Sequence, residues 1–395
     1  MATNALLNPS IITKETLVIL ENNLVAAGKV NRQFENQFVK IGASLTIRKP
    51  NRFVVTSGPG LAVQNITEPS TSITISNQKH VDFQFSSQDL TLTIEDFSER
   101  YVKPAAAALA NQIDYDVITN FKNVQNLVGT PGTTPNAFSF LANVGQRMDE
   151  GAVPQDGRVL LLDPASYWGM ANGLIGLYVQ SVAEPALKGF LAKIANFEIY
   201  EDQNIQSITN GAYQGSGVVN GASQTGSSLV TNGWTASTTN AFLGGEVITI
   251  AGVYAINPQS RQSTGALQNF LVTGPASSDG GGNMTIPIYP AITTSGSYQT
   301  VSGSPANLSA ISILSGTRNT AYNNNLAFVR DAFGLVTVPL ELPDGVDFKA
   351  REMYKGISMR IVRAWDINND VFPTRIDVLY GTATFYPELA VRLTR

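Results

Sequence analysis

The stretch DFSERYVKPAAAALANQIDYDVITNFKNV, residues 96–124, decides how the rest of the chain reads. From Val102 the apolar side chains recur at Ala106, Leu109, Ile113, Val117, Phe121 and Val124. Steps of three and four place all seven on one face of a helix. Ala105 to Ala108 and Ala110 favour the helix and add little bulk, so another element can approach closely. Asp96 followed by Glu99 has the form of a capping box, and Lys122 lies near the far end, where the helix dipole favours a cation. Pro104 either bends the helix or sits in its first turn. A helix from Ala105 to Val124 would run about 30 Å. Around it the sequence is mostly strand-like, so this helix reads as a beam on which sheets pack, and the fold class as α+β.

Before the helix, Ile12, Leu17, Leu20, Leu24 and Val25 form an amphipathic stripe, and Phe34, Phe38 and Ile41 follow it. Nothing nearby in sequence offers this segment a partner. Residues 43–95 then change to strand pattern. Leu45 and Ile47 on one side, Phe53 and Val55 on the other, frame the basic cluster Arg48-Lys49-Pro50-Asn51-Arg52. A turn at Ser57-Gly58-Pro59-Gly60 leads back through Ile73, Ile75, Val81, Phe83 and Phe85, read as the return of one long hairpin. A hairpin on its own is marginal in water, so it needs a neighbour.

After the helix come a loop at Gly129–Pro135, a helix through Phe138, Leu141, Val144 and Met148, and a buried strand at Arg158–Asp163. Residues 165–196 read as mainly helical, with Leu187, Phe190 and Ile194 in the later stripe, before a strand at Phe197–Tyr200. Near residue 205 the composition shifts. Residues 211–325 hold four charged residues, Glu246, Arg261, Asp279 and Arg318, among Gly, Ser, Thr and Asn. Short β runs at Glu246–Ala251, Phe270–Thr273, Met284–Ile288 and Ile311–Leu314 predict a small all-β barrel or sandwich. Asn210-Gly211 and Asn323-Asn324-Asn325 mark its two ends as an insertion, because longer apolar strands resume at Phe328, Leu335–Leu342, Ile357–Trp365 and Ile376–Phe385.

The chain has 395 residues, of which 14% are charged against a usual quarter, with a net charge of −4. That surface suits extensive protein–protein contact better than a solitary soluble life. Nothing compels binding to nucleic acid or an anionic membrane. There is no cysteine, which excludes disulfides and thiol catalysis. The opening MATNALLNPS has neither a basic start nor an apolar core, so no signal peptide is expected, and no run is long enough to span a membrane.

Catalytic, cofactor and metal signatures are not found. His80 is the single histidine and stands in a strand pattern with no clear acid partner. Asp366-x-Asn368-x-Asp370 matches the start of a calcium loop, but Val371 takes the place of the required glycine, so a turn is expected. Asp279-Gly-Gly-Gly-Asn283 lacks the strand and helix that a phosphate cradle needs. Asp114 and Asp116 lie two apart on a helix and do not face each other.

Three stretches together resemble the major capsid proteins of tailed bacteriophages, with the Hong Kong 97-like fold. They are Val102–Asp114, similar to the start of that family's spine helix; Asn325–Phe333; and Arg375–Gly381 with Tyr386–Ala390, similar to its closing strand. The subgroup whose coat protein carries an inserted β-barrel matches best, since the insertion falls in the same place. The resemblance implies an N-terminal arm at 1–40, an extended loop hairpin and peripheral strands at 41–95, and a spine helix of the peripheral domain at 96–135. It further implies a first axial part at 136–204, the inserted barrel at 205–325, and the second axial part with closing peripheral strands at 326–395. Arg48, Lys49 and Arg52 on the hairpin are the candidate intersubunit contacts. The function implied is a non-enzymatic shell protein that self-assembles as hexamers and pentamers into an icosahedral capsid around double-stranded DNA, bound without sequence specificity. A scaffolding protein, a portal and a decoration protein are the implied partners, with no cofactor and no membrane; assembly is expected in the host cytoplasm and residence in the virion. Two alternatives stay open on the residues alone: a nanocompartment shell with enzyme cargo, and a carbohydrate-binding surface protein built around the Gly/Ser/Thr/Asn-rich region.

Overall fold

The computed structural model describes residues 9–33, 44–61, 63–64, 66, 68–86, 101–174, 193–346, 348–354 and 357–395. The expected capping pair Asp96 and Glu99, the apolar group Phe34, Phe38 and Ile41, and the stripe residues Leu187 and Phe190 lie outside them. The chain divides into two compact units. One comprises Met1–Arg48, Ser70–Ile118 and Phe333–Ala383; the other comprises Lys49–Pro69, Thr119–Ala332 and Thr384–Arg395.

In the first unit, the α-helix Lys103–Ile118 carries Pro104 in its first turn, where the missing N–H costs nothing. Val102, Ala106, Leu109, Ile113 and Val117 are buried as the periodicity predicts. Ala105 and Ala110 are buried too, and the helix Pro9–Asn23 packs against this helix. Asp114 fixes the chain that follows the first helix. It is buried, and its two carboxylate oxygens accept hydrogen bonds from the backbone N–H groups of Val25 and Ala27, each at 2.7 Å. Asp116, on another side of the helix, accepts from the Tyr380 hydroxyl at 2.6 Å and pairs with Lys79 at 3.5 Å. The two acids therefore hold different segments, in keeping with their spacing.

A five-stranded sheet accompanies the helix. Val371–Thr384 is its long member, flanked by Ile357–Arg363 and then Phe348–Tyr354, and by Phe333–Val338. The strand Asn77–Ser86 pairs antiparallel along Val371–Thr384, from Asn77 opposite Tyr380 to Ser86 opposite Val371. This corrects the expectation of a single hairpin returning through Val81, Phe83 and Phe85. The hairpin closes earlier, with Ser44–Arg48 paired to Ser70–Thr74, and Asn77–Ser86 belongs to the sheet. Gly381 lets the chain pass close to this ribbon, since a Cβ there would fall on the Thr74 carbonyl. Inside the sheet Asp377 is fully buried and receives Arg360 through two nitrogens, Nε at 3.0 Å and Nη2 at 2.5 Å. Gln78 adds a third donor to Asp377 at 3.0 Å.

The second unit opens where the helix tightens. Thr119–Asn123 is a 3-10 segment, so the α-helix is shorter than the 20 residues the stripe predicts, although Phe121 and Val124 are buried as expected. The β-branched run Val117-Ile118-Thr119 disfavours another α turn, and side chains there serve other bonds. Thr119 Oγ1 accepts from Gln206 at 2.6 Å, and Asn123 donates to Thr384 Oγ1 at 3.0 Å. A mixed seven-stranded sheet runs Leu127–Val128, Ala390–Thr394, Ala321–Val329, Arg158–Leu162, Phe197–Glu201 and Lys193–Ile194, with Ser207–Thr209 also on Ala321–Val329. The helix Phe138–Glu150 lays Leu141, Val144 and Met148 into a core with Leu160, Phe197, Ala327 and Val391.

The Asn323-Asn324-Asn325 run, expected as a turn-like end of the insertion, lies within the strand Ala321–Val329, with Asn324 and Asn325 buried. Asn325 accepts from the Asp163 N–H at 2.7 Å and donates to Ser166 Oγ at 3.0 Å. Its amide ties the start of the helix Pro164–Leu174 to the sheet; the asparagines are there for their hydrogen bonds, not for turn conformation.

Between Thr209 and Ala321 the chain makes a separate antiparallel sheet of six strands, in the order Ile311–Ile313, Val247–Ile250, Phe270–Val272, Met284–Ile292, Gly226–Trp234, Gly215–Val219. A bridge between Val218 and Ala310 brings its first and last members together, so the sheet is nearly closed. Ile248, Phe270, Ile286, Leu229, Trp234 and Phe242 fill it. Gly217 is required, because a Cβ there would overlap the Trp234 ring. The sequence had shown four of these strands; Gly215–Val219 and Gly226–Trp234 escaped because glycine and serine dilute their alternation.

Replacing Asp114 by Ala orphans one buried and one partly buried N–H group, and we expect it to cost about 2–4 kcal/mol. The check is the urea-unfolding midpoint of the free chain, with Asp114→Asn falling between.

Candidate assembly surface and its anchors

Between the paired strands Ser44–Arg48 and Ser70–Thr74 runs a loop whose described residues form no helix or strand. Phe53 and Val55, expected to frame the basic cluster as a strand, are not in one. Phe53, Val55, Leu61, Val63 and Ile66 are all exposed, Val55 to 94% and Leu61 to 92%. Scattered apolar side chains on a surface need no explanation, but five exposed in one loop mark it as a segment that a partner could cover. Spacing of two residues between Phe53 and Val55 was the available signal; it was read as strand because pattern alone does not show which side has a neighbour, and the far end of the hairpin, roughly 56–72, expected to be loose and polar, exposes Leu61, Val63 and Ile66.

The three sequence-predicted contact residues stand at the loop's root. Arg48 is exposed and ends its strand opposite Ser70. Lys49 donates its backbone N–H to the Pro69 carbonyl at 2.7 Å and holds its ammonium 4.8 Å from the centre of the Tyr386 ring. Burial lowers its pKa, and the nearby Glu388 opposes that shift. Arg52 pairs with Glu388 at 3.3 Å. Lys49 and Arg52 thus converge on the turn Pro387–Leu389 of their own chain. Both ends of the Arg52 pair are partly exposed, so it contributes at most about 1 kcal/mol.

Stronger anchors lie where the six-stranded sheet leaves its host. Asn210 donates to the carbonyls of Ser315 and Thr317, each at 2.9 Å, joining the two chain ends of the insertion. Glu246 is fully buried and accepts three backbone N–H bonds, from Gly211 at 2.9 Å, Leu243 at 2.8 Å and Gly244 at 2.7 Å. Arg392, on the host strand Ala390–Thr394, is also buried and donates to the Gly245 carbonyl at 2.9 Å. Burial pulls its guanidinium down to about 9, and the charge of Glu246 opposes that shift. The sequence held a hint: a stretch nearly free of charge keeps a glutamate only where it is needed.

The motifs examined for chemistry resolve into structure. His80 Nδ1 lies 2.9 Å from Asp82, which also holds Arg375 at 2.9 Å, on the exposed face of a strand. Asp366 takes the Asn368 N–H at 2.9 Å and the Asn369 amide at 2.7 Å, closing the turn between two strands. Asp279 accepts from the N–H groups of Gly281 and Asn283, each at 2.8 Å. Among the described residues no group of three or more acidic or histidine side chains is placed to hold a metal, and no helix is long and apolar enough to cross a membrane.

A mixed α and β chain with a nearly closed sheet set into a larger unit, and an apolar loop facing solvent, has the parts of an assembly protein. Comparison with known proteins gives the class its family. The chain matches the family described as "P22 coat protein - gene protein 5" over residues 1–394, and it belongs to that family. No curated protein matches it. It is similar to a solved structure from Mycobacterium phage Che8, at 12% identity and TM-score 0.51, over 94% of this chain and 90% of that one. It is also similar to one from Mycobacterium phage Ogopogo, at 10% identity and TM-score 0.46, over 94% and 91%, and to the capsid of Ralstonia phage GP4, at 8% and 0.44, over 92% and 85%. The chain is a major capsid protein of a tailed phage, a structural protein that forms the phage shell and so a component of the virion.

Substituting Glu246 by Ala orphans three N–H groups and removes the charge that offsets the burial of Arg392, and should cost about 3–5 kcal/mol. The emission of Trp234 reports it, since Trp168 and Trp365 are 56% and 55% exposed while Trp234 is buried. Adding Arg392→Met to that variant should recover part of the loss.

Proposed function

We propose that this capsid protein is a Hong Kong 97-like subunit with an inserted β-barrel, building an icosahedral shell of hexamers and pentamers around double-stranded DNA. Residues 1–40 serve as the N-terminal arm, 41–95 as the extended loop and peripheral strands, and 96–135 as the spine region. Residues 136–204 and 326–395 supply the axial domain and closing strands, and 205–325 the barrel. The loop lies across a neighbouring copy, and Arg48, Lys49 and Arg52 set its register there. The DNA is enclosed without sequence readout; the mildly acidic net charge of −4 avoids the tight binding a strongly basic wall would give. A scaffolding protein, a portal and a decoration protein complete the particle, which assembles in the host cytoplasm.

The observation that carries this reading is the exposed row Phe53, Val55, Leu61, Val63 and Ile66. Covering such side chains is worth roughly 1.5–3 kcal/mol each when complete. A closed shell repeats the gain at every subunit.

The variant Phe53→Ser, Val55→Ser, Leu61→Ser should remain soluble and keep the circular dichroism of the parent, because these side chains touch little of their own chain. It should fail to form closed shells by electron microscopy and sediment as small species. Shells of normal yield and diameter would refute the assigned role of the loop.

A further inference from the structure

The sequence holds four Asn-Gly pairs, at 172–173, 210–211, 220–221 and 232–233. In such a pair the glycine's backbone nitrogen can attack the asparagine's side-chain carbonyl carbon, because no Cβ on the glycine stands in the way. The fold decides which pair can react, and it holds three of them. Asn172 and Gly173 lie in the helix Pro164–Leu174, where N–H groups past the first turn are committed to carbonyls four residues back. A Cβ on Gly173 would fall on the Asn136 carbonyl, so the chain has no room to swing there. Asn210 is buried, its amide nitrogen donates to two carbonyls, and Gly211 gives its N–H to Glu246. Asn232 pairs with Val218 inside the strand Gly226–Trp234, and a Cβ on Gly233 would meet the Ser216 carbonyl.

Asn220 and Gly221 differ. Both are exposed, directly after the strand Gly215–Val219. Gly221 has φ +96°, and a Cβ there would meet nothing within 4 Å. Two side chains act on the reacting peptide in opposite senses. Gln224 Nε2 donates to the Asn220 carbonyl at 2.9 Å. A donor on the peptide oxygen draws electrons from the nitrogen and eases loss of its proton. Asn307 Oδ1 accepts the Gly221 N–H at 2.8 Å. That bond must open before the proton can leave, and one exposed hydrogen bond opens far more readily than a buried ladder.

We propose that Asn220 is the site at which this chain deamidates, with Asn307 as the brake. Hydroxide removes the Gly221 amide proton, and the nitrogen attacks Asn220 Cγ. The bond from Cγ to the side-chain nitrogen breaks, and that nitrogen leaves as ammonia. Water then opens the five-membered imide at either carbonyl, giving aspartate or isoaspartate. Nothing is oxidised or reduced. The product adds a negative charge to residues 211–325, which hold four charged residues. It does so close to the bridge between Val218 and Ala310 that nearly closes the sheet. The assignment is independent of how the shell is built.

The test is peptide mapping by mass spectrometry after the purified full chain is incubated at mildly alkaline pH. Chromatography separates the aspartate and isoaspartate products. The peptide carrying Asn220 should convert at least several-fold faster than those carrying Asn172, Asn210 and Asn232. In denaturing urea the four rates should converge, because only the fold tells them apart. Asn307→Ala should speed conversion several-fold in the folded chain and leave the rate in urea unchanged, and Asn220→Gln should abolish it. Trp234 emission checks that each variant is folded. If Asn307→Ala does not fold, the ranking of the four sites in the parent chain decides alone. Conversion at any of the other three pairs as fast as at Asn220, or a folded Asn307→Ala chain that converts no faster than the parent, would overturn the proposal.

Discussion

A carboxylate taken out of water must be given donors, and this fold is tied together by the few places where that is done. Glu246 gathers three N–H groups at the neck of the inserted sheet, Asp114 gathers two from the chain after the first helix, and Asp377 takes both arms of Arg360. With 14% of residues charged, the chain has little ionic decoration, and a telling share of what it has is inside. A buried charge that loses its partner is far more costly than a surface pair, so these contacts specify position as well as adding stability. Apolar burial supplies the bulk of the driving force; the buried acids decide which segments meet.

The loop at residues 49–69 obeys the opposite constraint. Its apolar side chains have no covering element within the described chain, and its own ionic contacts at Lys49 and Arg52 are weak and near its root. A subunit that keeps such a loop in water gains little alone and gains on every copy when the loop is covered. In the role proposed for this loop, a local defect of folding becomes a drive for association.

Much of this was legible in the sequence, for physical reasons. The seven-residue stripe from Val102 to Val124 is buried throughout, because helical period and burial are the same fact seen twice. The strand at Arg158–Leu162 was plain from its nearly continuous apolar run, and that at Phe197–Glu201 from the alternation of Phe197 and Ile199 with glutamate. What escaped depends on partners distant in the chain. Asn77–Ser86 alternates equally well whether its mate is the hairpin or Val371–Thr384. Asn324 and Asn325 carry turn chemistry in isolation and hydrogen-bond chemistry in a sheet. Phe53 and Val55 alternate as a strand does, yet no strand lies beside them. The contact residues Arg48, Lys49 and Arg52 were visible as a cluster, but not that Lys49 and Arg52 meet Tyr386 and Glu388 of their own chain.

The neck of the inserted sheet bears on the order of folding. Asn210 reaches the carbonyls of Ser315 and Thr317, so the two ends of the insertion sit side by side. The pairing of Ser207–Thr209 with Ala321–Val329 spans the whole insertion in sequence, a closure that is entropically expensive for an unfolded chain and slow to find. Once the six strands have folded on their own core, the same closure spans only the width of the neck. The insertion then acts as a clasp that converts a distant contact into a local one, and the surrounding sheet can form at the rate of a much shorter chain.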